Sequence, residues 1–140
     1  MKRYSVDIIK MFILHIQDNP EGYNFLVENR RLELLAAIDA IRGDKKAFDF
    51  LMRSKEFELA AFVNAIWDDQ SAFKFLMDNK FYISAAVANL INGDEKAEVF
   101  LKNINLDHFV QLGKTIQQKI REDGDKNSNI FSMMNIFKKN

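Results

Sequence analysis

The chain has 140 residues, of which 48% are hydrophobic, enough for one packed domain or a short repeat array and too apolar for disorder throughout. Twenty basic and twenty acidic residues give a net charge of +0, without the basic excess that phosphate-driven nucleic-acid binding calls for. The absence of Cys excludes disulfides, thiolate metal sites and a Cys nucleophile.

The chain opens with "MKRYSVDIIKMFILHIQD", two basic residues and then an apolar run. Asp7, Lys10 and His15 interrupt that run and no small-residue cleavage site follows, so it reads as a helix rather than a signal peptide. Ile9, Phe12, Ile13 and Ile16 keep helical spacing. No apolar run approaches the ~20 residues of a membrane span, and a cytoplasmic protein is the expectation.

Asn19-Pro20 then starts a new helix: Asn is an N-cap type, and Pro loses nothing at the first helical position. Asp44, Asp69 and Asp94 occupy the same slot further on, a step of 25 apart. Gly43 and Gly93 precede two of them and suit a left-handed helix end. Asn29, Ser54 and Asn79 form a second cap slot, taken as a second helix start. Each unit is therefore a short helix, a tight turn and a longer helix.

Self-comparison supports this period. Asp44–Asp68 and the 25 residues after it share Ala47/Ala72, Phe48/Phe73, Phe50/Phe75, Leu51/Leu76, Met52/Met77 and the Ala pairs at 60–61 and 85–86. Phe-Leu recurs at Phe25, Phe50, Phe75 and Phe100, and Ile recurs at Ile16, Ile41, Ile66, Ile91 and Ile116. The expected organisation is a half repeat at 5–17, then repeats at 19–43, 44–68, 69–93 and 94–121. A polar linker, "EDGDKNSN", follows at 122–129. In the tail at 130–140, Ile130, Met133, Met134 and Phe137 stand at i, i+3, i+4 and i+7, one face of a helix. Helices this short are marginal alone and lean on the units either side. The predicted fold is all-α: a short right-handed α-solenoid of about four and a half two-helix repeats.

This arrangement resembles the broad class of α-solenoids built from helical hairpins, such as the HEAT-like and armadillo-like arrays. The resemblance is one of architecture. The period is shorter than theirs, none of their signatures occurs, and no functional residue is carried over from them.

Shared positions report packing, so function is sought where one copy departs from the rest. Glu98 and Lys102 replace aromatic and apolar residues of the earlier units and suit the polar face of a terminal repeat. Trp67 stands in a slot that holds Arg42, Asn92 and Gln117 elsewhere, and reads either as a binding anchor or as a cover over the inter-repeat seam. Phe81 replaces Arg31 and Glu56 and, with Tyr82, reads as apolar surface beside Trp67 or as packing against the turn. A single groove joining Trp67, Phe81, Asn64, Asn89 and Arg42 is the expectation. Leu14, in the slot of Asp39, Asn64, Asn89 and Lys114, suggests that the first helix is covered, with residues 130–137 as the candidate cover or as a dimer contact.

Chemistry is sparse. His15 and His108 fall at opposite ends of the array, and no phosphate loop, dinucleotide fingerprint or serine elbow occurs. The sequence points to a non-catalytic protein- or peptide-binding module, with no cofactor or metal, as a monomer or weak dimer. Self-assembly through the C-terminal apolar helix and an enzyme with an unrecognised site are the alternatives.

Overall fold

The computed structural model describes residues 1–138, with side chains described through Asp125. The described residues are all-helical. In chain order the helices are α1 (Val6–Ile16), α2 (Pro20–Glu28), α3 (Leu32–Ile41), α4 (Lys45–Arg53), α5 (Phe57–Ile66), α6 (Gln70–Asp78), α7 (Tyr82–Ile91), α8 (Glu95–Asn103) and α9 (Asp107–Lys138).

The turns explain where the helices begin. Asn19, Asp44, Asp69 and Asp94 each accept a first-turn backbone N–H, so they cap α2, α4, α6 and α8 as their residue types dictate. The residue before each cap has positive φ: 64° at Asp18, 102° at Gly43, 68° at Asp68 and 93° at Gly93. Asp thus takes a left-handed position where other units use Gly, which its short polar side chain tolerates. The second turn also reverses through one left-handed residue, at Arg30, Lys55, Lys80 and Asn105.

One expectation is corrected here. Asn29, Ser54 and Asn79 end α2, α4 and α6 rather than starting the next helix. The amides of Asn29 and Asn79 donate to the Phe25 and Phe75 carbonyls, both at 2.8 Å, filling last-turn acceptors. The actual N-caps of α3, α5 and α7 are Arg31, Glu56 and Phe81, none with a side-chain cap bond.

Burial separates the two kinds of helix. In α2, α4, α6 and α8 the fully buried anchors are Leu26, Leu51, Leu76 and Leu101. The odd-numbered helices bury far more, including Phe12, Phe62 and Phe109. Each odd helix packs on the even helix that follows it, and α3, α5, α7 and α9 pack in succession. Gly22 marks the tightest approach: a Cβ there would overlap His15 N and Met11 O of α1. Its slot holds Ala47, Ala72 and Ala97 elsewhere, so small residues let the even helices lie close.

The last helix departs from the expected plan. α9 runs unbroken through residues 122–129, given above to a linker. The reason is local. Gln118 and Lys119 occupy the slots that hold the left-handed residue and the N-cap in every earlier unit, so nothing ends the helix. Gly124 alone costs only about 1 kcal/mol in a helix. α9 also packs against α1, so the last helix returns to the first. Lys119, buried, donates to Asp18 at 2.8 Å across that contact. Half-buried Leu14 sits on the helix that α9 covers. The side chains of Ile130, Met133, Met134 and Phe137 lie outside the described residues.

Candidate functional site

The odd helices run in one direction. Their starts adjoin, as the Ser84 hydroxyl donating to Glu58 at 2.7 Å shows, and so do their ends. This layer therefore has an N-terminal edge and a C-terminal edge, about 15 Å apart for a ten-residue helix.

The C-terminal edge carries Trp67. Its indole N–H donates to the Ile41 carbonyl of the preceding odd helix at 3.0 Å. Asn92 does the same to Ala65 at 3.2 Å, and Gln117 to Ile91 at 3.1 Å. Arg42 pairs instead with Asp123 of α9 through two hydrogen bonds, at 2.9 and 3.0 Å. All four residue types carry side-chain N–H donors, and the last carbonyls of a helix need donors. Trp67 thus obeys the rule of its slot: the slot selects a donor, not polarity. A cavity of about 480 Å³ lies beside it, lined in part by Ile91, Gln117 and Arg121.

The N-terminal edge is different. Residues 1–4 fold back as a turn whose Met1 and Tyr4 side chains are buried against it. The Tyr4 hydroxyl donates to Glu33 at 3.0 Å and accepts from Arg3 at 2.6 Å. Burial pushes the Tyr4 phenol up, with the Glu33 charge acting the same way. Arg3 also pairs with Glu56 at 2.5 Å, and the Met1 ammonium pairs with Glu58 and Ser84. Burial lowers the pKa of that ammonium, against the bond to Glu58.

Outside this polar seam lies a groove of about 1110 Å³. Residues 1–6 form one wall, and the turns leading into α5, α7 and α9, with Phe75 of α6 and Phe100 of α8, form the rest. Part of its apolar lining stays in solvent contact: Phe57 is 45% exposed, Phe75 38%, Tyr82 48%, Phe100 45% and Ile104 46%. Phe81 also lines it, half-buried, its ring 6.4 Å from that of Phe75.

No family model, curated protein or solved structure matches this chain.

The expected single groove does not form. Trp67 ends α5 while Phe81 precedes α7, which puts them on opposite edges. Asn64, Asn89 and Leu14 are half-buried within helices and line neither cavity, and Arg42 is held by Asp123. Phe81 and Tyr82 do share the apolar groove, with Phe75 and Phe100, which the repeat comparison treats as packing markers. One signal pointed to them. Neighbours on a helix stand 100° apart, so a Phe-Leu pair cannot bury both side chains on a one-sided core. Leu takes the core in every unit, and Phe is left at its margin.

His15 lies in the last turn of α1 and His108 in the first turn of α9. His15, half-buried at the end of α1, lies with its ring 5.7 Å from Tyr23. Burial lowers its pKa, opposed by Asp39 and Asp18. His108 lines the groove, and burial lowers its pKa too, opposed by Asp107. Glu98 accepts from Lys114 at 2.7 Å and pairs with Lys102 at 3.0 Å, which holds its carboxyl below the usual range. Among the described residues no group of three or more His, Asp or Glu is placed to hold a metal ion. No helix of the described residues is long and apolar enough to cross a membrane.

Proposed function

We propose that the chain is a non-catalytic helical-repeat module, a short right-handed α-solenoid of about four and a half repeats, that binds a protein or peptide in the groove at the N-terminal edge of its odd helices. The observation that carries this reading is the groove itself. Phe57, Phe75, Tyr82, Phe100 and Ile104 are each more than a third exposed around one concavity of about 1110 Å³. Scattered single apolar residues on a surface need no explanation, but large ones gathered in a concavity mark an interaction site. Polar residues such as Lys2, Lys55, Asn79 and Lys80 share its lining, as at the edge of a binding patch. Trp67, the anchor suggested by the sequence, has its polar tip occupied at the seam and is not part of this reading.

The test is affinity capture from native lysate with the intact chain, repeated with Phe75→Ala/Phe100→Ala and with Trp67→Ala. A bound protein should be lost with the double variant and kept with Trp67→Ala. Equal recovery by all three chains would sink the proposal, provided circular dichroism shows each one folded.

A further inference from the structure

The charges around the groove say what kind of partner it fits. Resting on the binding reading above, we infer that the occupant is an amphipathic α-helix of a partner protein, with acidic residues beside its apolar face.

The backbone argument comes first. The groove is lined by apolar side chains, and the described residues contain no strand and so no sheet edge to extend. A peptide lying there extended would find only the first-turn N–H donors of α5 and α7, which lack side-chain caps, and no backbone acceptors along its length. A helix satisfies its own backbone and presents only side chains.

The charge argument comes second. The groove's two acidic residues are both engaged, Glu56 by Arg3 and Glu58 by the Met1 ammonium and Ser84. Its lysines, Lys2, Lys55 and Lys80, carry no ion pair among the described residues. Among the lining residues the unpaired formal charge is therefore positive, on a chain whose net charge is +0. The backbone positions of Lys55 and Lys80 are set by the turns. Each occupies the left-handed position of a turn, at φ 60° and 62°, one repeat apart. Packed helices are spaced about 8–10 Å apart. Two turns of a helix lying across the repeats advance about 11 Å. Carboxylates two turns apart on such a helix match the spacing of the two lysines, and its apolar face meets Phe75 and Phe100 in the same groove. The wall formed by residues 1–6 makes the site concave, which a flat bilayer cannot enter.

The experiment is a selection on the intact chain from a displayed library of 16-residue helix-forming peptides, followed by anisotropy titration of the enriched sequences. Enriched peptides should carry an apolar stripe at helical spacing and, at positions flanking that stripe, two Asp or Glu residues seven apart. They should bind Lys55→Glu/Lys80→Glu about tenfold or more weakly, and lysine at the acidic positions should restore binding to that variant. Peptides that bind with neutral or basic flanks, indifferent to the charge reversal yet lost with Phe75→Ala/Phe100→Ala, overturn the acidic-helix inference and leave the binding reading standing. If nothing is enriched, or if binding survives the double Phe variant, both fail. Two further arms use the protein alone. Phe-dependent binding to phosphatidylserine–phosphatidylcholine vesicles would make the occupant a lipid surface, and a Phe-dependent dimer mass would make it a second copy. Either result overturns the inference. The lysines are exposed turn residues, so the charge arm remains readable even if a Phe variant misfolds.

Discussion

The two edges of the odd-helix layer use aromatic residues in opposite ways. Trp67 on the C-terminal edge is 58% exposed, more than any of the groove aromatics, yet its indole N–H closes a seam on the Ile41 carbonyl. Phe75 and Phe100 on the N-terminal edge have no polar tip, and the face they leave in solvent satisfies nothing in the chain. Exposure alone does not distinguish these residues. What separates them is whether the side chain has a partner within the fold. Trp67 has one, because the last carbonyls of a helix need donors.

That comparison can be broken or sharpened by substitution, and the largest effect belongs to neither edge. Leu76→Ala should lose about 2–5 kcal/mol of stability, because it empties a fully buried site. Phe75→Ala, one residue away, should lose only roughly 1–2 kcal/mol, since part of its surface is already wet. Urea unfolding of both measures the gap, and equal losses would mean that Phe75 is a core residue and the groove a packing defect. Trp67→Phe should cost about 0.5–1.5 kcal/mol, the worth of one hydrogen bond, with groove binding unchanged. A null effect on stability would return Trp67 to the status of a free anchor.

The smallest effect is on pH dependence. His15 and His108 both have pKa values below the ordinary one of about 6.5, chiefly because burial disfavours the charged form. The unfolded chain then binds more protons than the folded chain between the lowered values and about 6.5, so stability rises with pH through that window. The melting temperature should drop between pH 7.5 and pH 5.5. Each of His15→Gln and His108→Gln should flatten part of the drop. His15 faces Asp39, Asp18 and Arg42, and His108 faces Asp107 and Lys10, so the two should not contribute alike. An unaltered pH profile in both variants would show that neither His is desolvated in solution.

Much of the fold was legible residue by residue. Asn19, Asp44, Asp69 and Asp94 mark helix starts because a short acceptor side chain at that position has a local partner, whatever surrounds it. Gly43 and Gly93 mark helix ends for an equally local reason. The misreadings came where residue type permits two local roles. Asn79 can start a helix or finish one, and the Phe75 carbonyl decided for finishing. The segment at 122–129 looks polar enough for a linker, but polarity does not end a helix when no left-handed residue and no cap are supplied. The groove was less legible, because the Phe-Leu pairs were read as one apolar signal. A one-sided core divides each pair into a buried Leu and a marginal Phe.

By itself the sequence determined the elements: all-helical, short, and stepped every 25 residues, with caps and small-residue slots repeated in phase. These are local decisions, settled within a few residues by backbone hydrogen bonding and side-chain size. Only the tertiary structure decided that α9 returns to α1 and that residues 1–6 wall a groove. It also decided that Trp67 and Phe81 stand on opposite edges. Those outcomes depend on packing between helices far apart in the sequence. No single stretch of residues encodes that packing.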